Sequence, residues 1–256
     1  MLWYKTWLDT RWRFLIGLGI LACAAMVVVL VYPRMAALLP LVPTVDTGGE
    51  IGRRIRESAD LVRDYRGYIW SQWYRQTPMT TATLFAALLG SGGLLSQGFS
   101  GGGLLFTLSL PVSRRRWIGV RAAAGLAELL ALALVPSLLL PVFSPAVGQS
   151  YGVVNALALG LCQFFAVSVF FSLAVLLSTV FDDVWRPLLI SLTVATALGL
   201  VESVSRELSP YGIFTVMNGE VYFRTGSLPW LGLLATAAVS TAMLYGATLN
   251  IERRDF

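Results

Sequence analysis

The chain has 256 residues, 56% of them hydrophobic and 13% charged, against about 25% charged in a soluble domain. A soluble fold of this length cannot hide that much apolar surface, so composition points to a single all-α domain with the bilayer as its solvent. There is no histidine, which excludes histidine-activated nucleophiles, histidine metal sites and histidine proton switches. The net charge of +5 fits a positive-inside bias and contact with anionic headgroups. No basic surface interleaved with aromatics argues for nucleic acid.

A spanning helix needs about 20 mostly apolar residues. In the lead-in, Trp3, Trp7, Thr10 and Phe14 share one helical face and Lys5, Asp9 and Arg13 lie off it. Aromatic residues of this kind sit at headgroup level, so the lead-in reads as an N-terminal interfacial amphipathic helix. Residues 14–32 form the first span, retained because no small-residue cleavage site follows. Residues 33–78 are a long connection. Within it Ile51, Ile55, Ala59, Val62, Ile69 and Trp73 recur at helical spacing. About 50–76 therefore predicts an amphipathic helix, on the outer surface or against its own protein, with Arg53–Glu57 and Arg56–Asp60 pairing at i, i+4.

The second span covers about 79–95 and turns Gly/Ser-rich at its end. The third covers 117–143, where Pro136 and Pro141 predict a kink or unwinding near the far end. The fourth, 153–181, carries Asn155, Gln163, Ser168 and Ser172 for hydrogen bonds to neighbouring helices. Asp182, Asp183 and Arg186 make a polar turn in which one acid caps the fifth, short span, 187–201, which opens at Pro187. Residues 202–227 predict short helices before the sixth span, 228–250. Cys23 and Cys162 fall inside apolar runs and read as small buried hydrophobes.

Six spans place both termini on one side. Lys5, Arg11, Arg13, Arg114–Arg116, Arg253 and Arg254 in short flanks make that side cytoplasmic, in an inner or plasma membrane. The connection 33–78 resists this assignment, since it carries Arg34, Arg53, Arg54, Arg56, Arg63, Arg66 and Arg75.

"GSGGLLSQGFSGGG", residues 90–103, lacks the Lys-Ser or Lys-Thr of a phosphate loop and reads as close-packed or flexible backbone, so no nucleotide site is visible in the chain. Glu128 is the one acid well inside a span. It reads either as a polar contact to another helix or a partner subunit, or as a group in a transport path. Arg121 lies on the same face seven residues earlier, too far for a direct pair. The cluster Arg114, Arg115 and Arg116, set on a short loop, suits anionic headgroups or the acids of a docked protein.

"FTLSLPVSRRRWIGVRAAAGLAELLAL" resembles the signature region of the type-2 ABC transporter permeases, where a Leu-Ser-x-Pro-Val-Ser-Arg stretch follows the second span on the cytoplasmic side; the match runs from Leu108 to Arg114. The opening "LWYKTWLDTRWRF" and the ending "IERRDF" are similar to the family's lead-in and tail. Two departures stand upstream: Gln97 takes roughly the place of a family Glu, and Ser100 to Gly103 the place of a Gly-Thr pair. The resemblance implies an ABCG-like (type V) exporter fold with a short cytoplasmic coupling helix between spans two and three, within about 97–116. It implies Gln97, Leu110, Pro111, Ser113 and Arg114–Arg116 as coupling residues. It also implies a homo- or heterodimer of such subunits, each docked on a separate ATPase that binds ATP and Mg²⁺, with no catalysis or cofactor in this chain. The alternative class is an ATP-independent secondary transporter or channel, for which Glu128 is the one supporting residue.

Overall fold

The computed structural model describes residues 2–38, 61, 63–91, 114–181, 183–204 and 212–253. Among these residues the ordered elements are all helical. They are α1 (Leu2–Leu38), α2 (Tyr65–Ile69), a π-helical turn (Trp70–Tyr74), α3 (Thr77–Gly90), α4 (Arg114–Phe143), a 3₁₀ turn (Ser144–Val147), α5 (Val153–Ser178), α6 (Trp185–Val204), α7 (Ile213–Asn218), α8 (Glu220–Thr225) and α9 (Trp230–Arg253). Five of these, α1, α4, α5, α6 and α9, are long and apolar enough to cross a membrane.

Two expectations change. The lead-in and first span are one uninterrupted helix of 37 residues, about 55 Å long at 1.5 Å per residue. Nothing before Pro33 breaks a helix; Gly17 and Gly19 cost only about 1 kcal/mol each there. Of the second predicted span, 79–95, the described part belongs to the 14-residue helix Thr77–Gly90, about 21 Å long, and residues 92–95 lie outside the described residues. The helix begins two residues earlier than expected, with Pro78 in its first turn, where a missing N–H costs nothing.

The other boundaries follow their punctuation. α4 carries through Pro136 and Pro141 and gives way to the 3₁₀ turn only after Phe143. The start of α6 is capped by Asp183, whose Oδ1 accepts the Arg186 N–H at 3.0 Å, as the polar turn predicts; Asp182 lies outside the described residues. α7 and α8 are the short helices expected before the last span. Glu202 at the end of α6 accepts the Phe214 N–H of α7 at 3.2 Å.

Helix α5 is the hub. Its most apolar window is 72% buried, against 22% for α6 and α9. It packs on α3, α4, α6, α7 and α9, while α1 leans mainly on α4. Between helices in lipid there is no hydrophobic drive, so small residues and hydroxyls make the joints. The Ser172 and Ser240 hydroxyls bond at 2.5 Å across α5 and α9, and Ser240 also donates to the Ser168 carbonyl at 3.2 Å. Of the two cysteines, Cys162 is buried but Cys23 is exposed on α1. An apolar run in lipid does not imply a core position, and Cys23 stands on the outward face.

Helix directions alternate. The starts of α1 and α4 and the ends of α3 and α5 meet around one small cavity. The end of α9 joins them through Asn250, whose amide donates to the Thr179 hydroxyl at 2.8 Å. The opposite end gathers α2, the π turn, α7, α8 and the start of α5 around a set of tyrosines.

Candidate functional site

Of the candidate coupling residues, Arg114, Arg115 and Arg116 fall at the first of these ends. Gln97, Leu110, Pro111 and Ser113 lie outside the described residues. Arg114 and Arg115 are the first two residues of α4 and Arg116 is exposed just after them. No acid occupies the first turn of α4. A helix N-terminus carries roughly +0.5 of a charge, and each cation placed there is unfavourable by about 0.3–1 kcal/mol. Three arginines at that position therefore weaken the helix they begin.

Glu128 sits midway along α4, 5% exposed. Its Oε1 is hydrogen-bonded to the Thr10 hydroxyl of α1, and its Oε2 has no hydrogen-bond partner. Thr10 also donates to the Thr6 carbonyl at 3.1 Å. Arg121, two turns earlier on α4, has its guanidinium carbon 6.0 Å from the Trp117 ring centroid and acts electrostatically on Glu128, Asp9 and Arg13. A cavity of about 10 Å³ opens beside Thr10 and Arg121, between Leu89, Gly90, Gly125 and Phe171. It has room for about one water. Sequence spacing supplied Arg121 and Glu128, which share a helix. It could not supply Thr10, because that contact spans 118 positions and carries no local periodicity.

The tyrosine end is the second polar centre, and motif reading passed over it. Tyr32 packs on Tyr65 and Tyr68 with ring centroids 4.7 and 5.0 Å apart. The Tyr65 and Ser144 hydroxyls bond at 2.7 Å, Tyr68 donates to the Val28 carbonyl at 2.9 Å, and Tyr222 donates to Asn155 Oδ1 at 3.0 Å. Trp70 donates its ring N–H to the Asn218 carbonyl at 2.9 Å and stacks on Phe223 at 4.5 Å. Arg66 flanks Phe223 and Arg75 flanks Trp70. The predicted amphipathic segment 50–76 is thus docked against its own protein over residues 65–74; its first part, with the two expected ion pairs, lies outside the described residues. The arginines of this connection that are described, Arg34, Arg63, Arg66 and Arg75, are exposed.

Burial raises the Tyr65, Tyr68 and Tyr151 hydroxyls above the ordinary tyrosine value and Tyr74 well above it. A tyrosine whose folded-state value is raised contributes stability below its unfolded value, and that contribution is lost as pH rises through the folded value. Tyrosinate absorbance on an alkaline titration should therefore show a fraction of the nine tyrosines that ionises only together with loss of helical circular dichroism. Simple ionisation of all of them near pH 10 with helicity intact would contradict the packing described.

Among the described residues no three His, Cys, Asp or Glu side chains converge where a metal ion would sit. Comparison with known protein families, with curated proteins and with solved structures finds no match to this chain.

Proposed function

We propose that the chain is the membrane subunit of an ATP-driven transporter, an exporter by the direction of the family it resembles. It works in pairs, with its termini on the cytoplasmic side of an inner or plasma membrane, and hydrolysis belongs to a separate ATPase that holds ATP and Mg²⁺. The observation that carries this reading is the arginine cluster at the start of α4. It follows directly on "LSLPVS" and sits where the helix dipole opposes it. A partner rich in acids, or a headgroup layer, accounts for the charge; only a partner accounts for the charge and the proline-serine stretch together. Five long apolar helices and a short sixth supply a scaffold of the right kind.

Purification of the tagged chain in mild detergent should bring down, in stoichiometric amount, a partner with a Walker A sequence. The secondary-transporter reading is favoured by one observation, the buried Glu128 with a bare carboxyl oxygen. Robust transport by the chain alone in liposomes, without ATPase, would establish that reading and sink the ATP-driven one.

A further inference from the structure

We infer that Glu128 is a proton-binding site, held as a neutral acid whose proton closes the joint between α1 and α4. The inference stands apart from the transporter reading and rests on donor counting. Two bonds meet at Thr10 Oγ1: one to Glu128 Oε1 and one to the Thr6 carbonyl. A threonine hydroxyl has a single proton and two acceptor lone pairs. If Glu128 were ionised, Thr10 would spend that proton on Oε1, and Oε2, buried and without a partner, would be a bare anionic oxygen in the bundle. An isolated buried carboxylate is among the costliest arrangements a fold can hold.

If Glu128 is protonated, the directions fall into line. The acid donates to Thr10 Oγ1, Thr10 passes its own proton on to the Thr6 carbonyl, and only a neutral carbonyl-type oxygen is left without a donor. Every hydroxyl proton in the chain Glu128–Thr10–Thr6 then has one acceptor. The joint is thereby a relay along which one proton links α4 to the backbone of α1.

The surroundings give the proton a route and a counter-charge. Thr10 lines the water-sized cavity, and Arg121 lines it from α4. The charged group that acts on Glu128 is Arg121 of α4, and Asp9 and Arg13 of α1 act in turn on Arg121. The packed helices α3 and α5 carry no Asp, Glu, Lys or Arg along their lengths. Loss of the proton to the cavity would leave a carboxylate in the field of Arg121 and turn Thr10 round to donate to Oε1, so the Thr10–Thr6 bond would be given up and Oε2 would stand as a bare anionic oxygen at the joint between α1 and α4.

Infrared spectroscopy of the full chain in nanodiscs at neutral pH tests this directly. The wild-type minus Glu128→Gln difference spectrum should contain the carbonyl stretch of a protonated carboxyl. If it shows carboxylate stretches instead, the inference is overturned. A second measurement uses the bond directions. An amide at position 128 still donates to Thr10, so Glu128→Gln and Thr10→Ser should keep the wild-type Tm, whereas Glu128→Ala and Thr10→Val should lower it by about 4–8 °C. A Glu128→Gln loss as large as that of Glu128→Ala would mean that the charge is required, and would overturn the proposal even if either alanine or valine variant proved too unstable to purify.

Discussion

On the proposed function, replacing Arg114, Arg115 and Arg116 together by serine is expected to leave the bundle folded and inserted while lowering affinity for the proposed ATPase partner, and transport per ATP hydrolysed, at least tenfold. The magnitude follows from the chemistry of the contact. A hydrogen bond to a charged group is worth about 1.5–3 kcal/mol, and about 1.4 kcal/mol is a factor of ten in affinity. One lost bidentate contact thus reaches the tenfold mark, and three exceed it. The direction for the chain by itself is opposite. Removing cations from a helix start relieves about 0.3–1 kcal/mol apiece, so the helix dipole on its own gives the serine variant no fall in melting temperature.

That pair of opposed outcomes separates docking from anchoring. A plain positive-inside anchor needs charge but no geometry, so a triple lysine variant would replace it fully. A guanidinium that meets carboxylates in fork geometry is not replaced by an ammonium, and the lysine variant should recover only part of the coupling. Co-purification in rising salt and ATP-driven uptake into inside-out vesicles are the measurements. Unchanged transport by the serine variant would remove the cluster from the mechanism, and a fall in its Tm would show that the arginines bind within the fold itself.

How much of this was legible in the sequence depends on the range of the interaction. Helix existence is a local matter: apolar runs bounded by Pro187, Pro229 and the Asp183 turn set α6 and α9 closely, because dihedral limits and capping act within a few residues. Windowed hydropathy was less informative where an amphipathic stretch runs on into an apolar one. It divided α1 at Phe14, although no residue there stops a helix. The second predicted span is described as helix as far as Gly90, and residues 92–95 lie outside the described residues. The partners of Glu128 and of Tyr65 were not legible at all. Thr10 and Ser144 lie far away along the chain and are chosen by how the helices pack. The arginine cluster was visible as sequence, but the cost of its position became visible only once Arg114 stood at the first residue of α4.

Gly90 provides the sharpest test of how the short helix α3 is held. A Cβ built on Gly90 would lie 2.5 Å from the Phe171 carbonyl oxygen, 2.7 Å from the Ala174 Cβ and 3.2 Å from the Val175 nitrogen of α5. Two of those three atoms are backbone of the hub helix, so they cannot turn aside as a side chain would. Gly90→Ala must push the end of α3 off α5 by about 1 Å to restore ordinary carbon contact distances. Overpacking of this kind costs about 1–3 kcal/mol, and it acts at the residue from which the segment toward Arg114 departs. The expected result is a lower Tm for Gly90→Ala together with weakened coupling to the ATPase. Gly119→Ala is the matched control: nothing lies within 4 Å of its Cβ on α4, and alanine in an open helical position stabilises by up to about 1 kcal/mol relative to glycine. Propensity alone predicts a gain for both variants and close packing a loss for Gly90→Ala only, so thermal unfolding of the pair decides whether α3 is seated against the hub as closely as its length and position require.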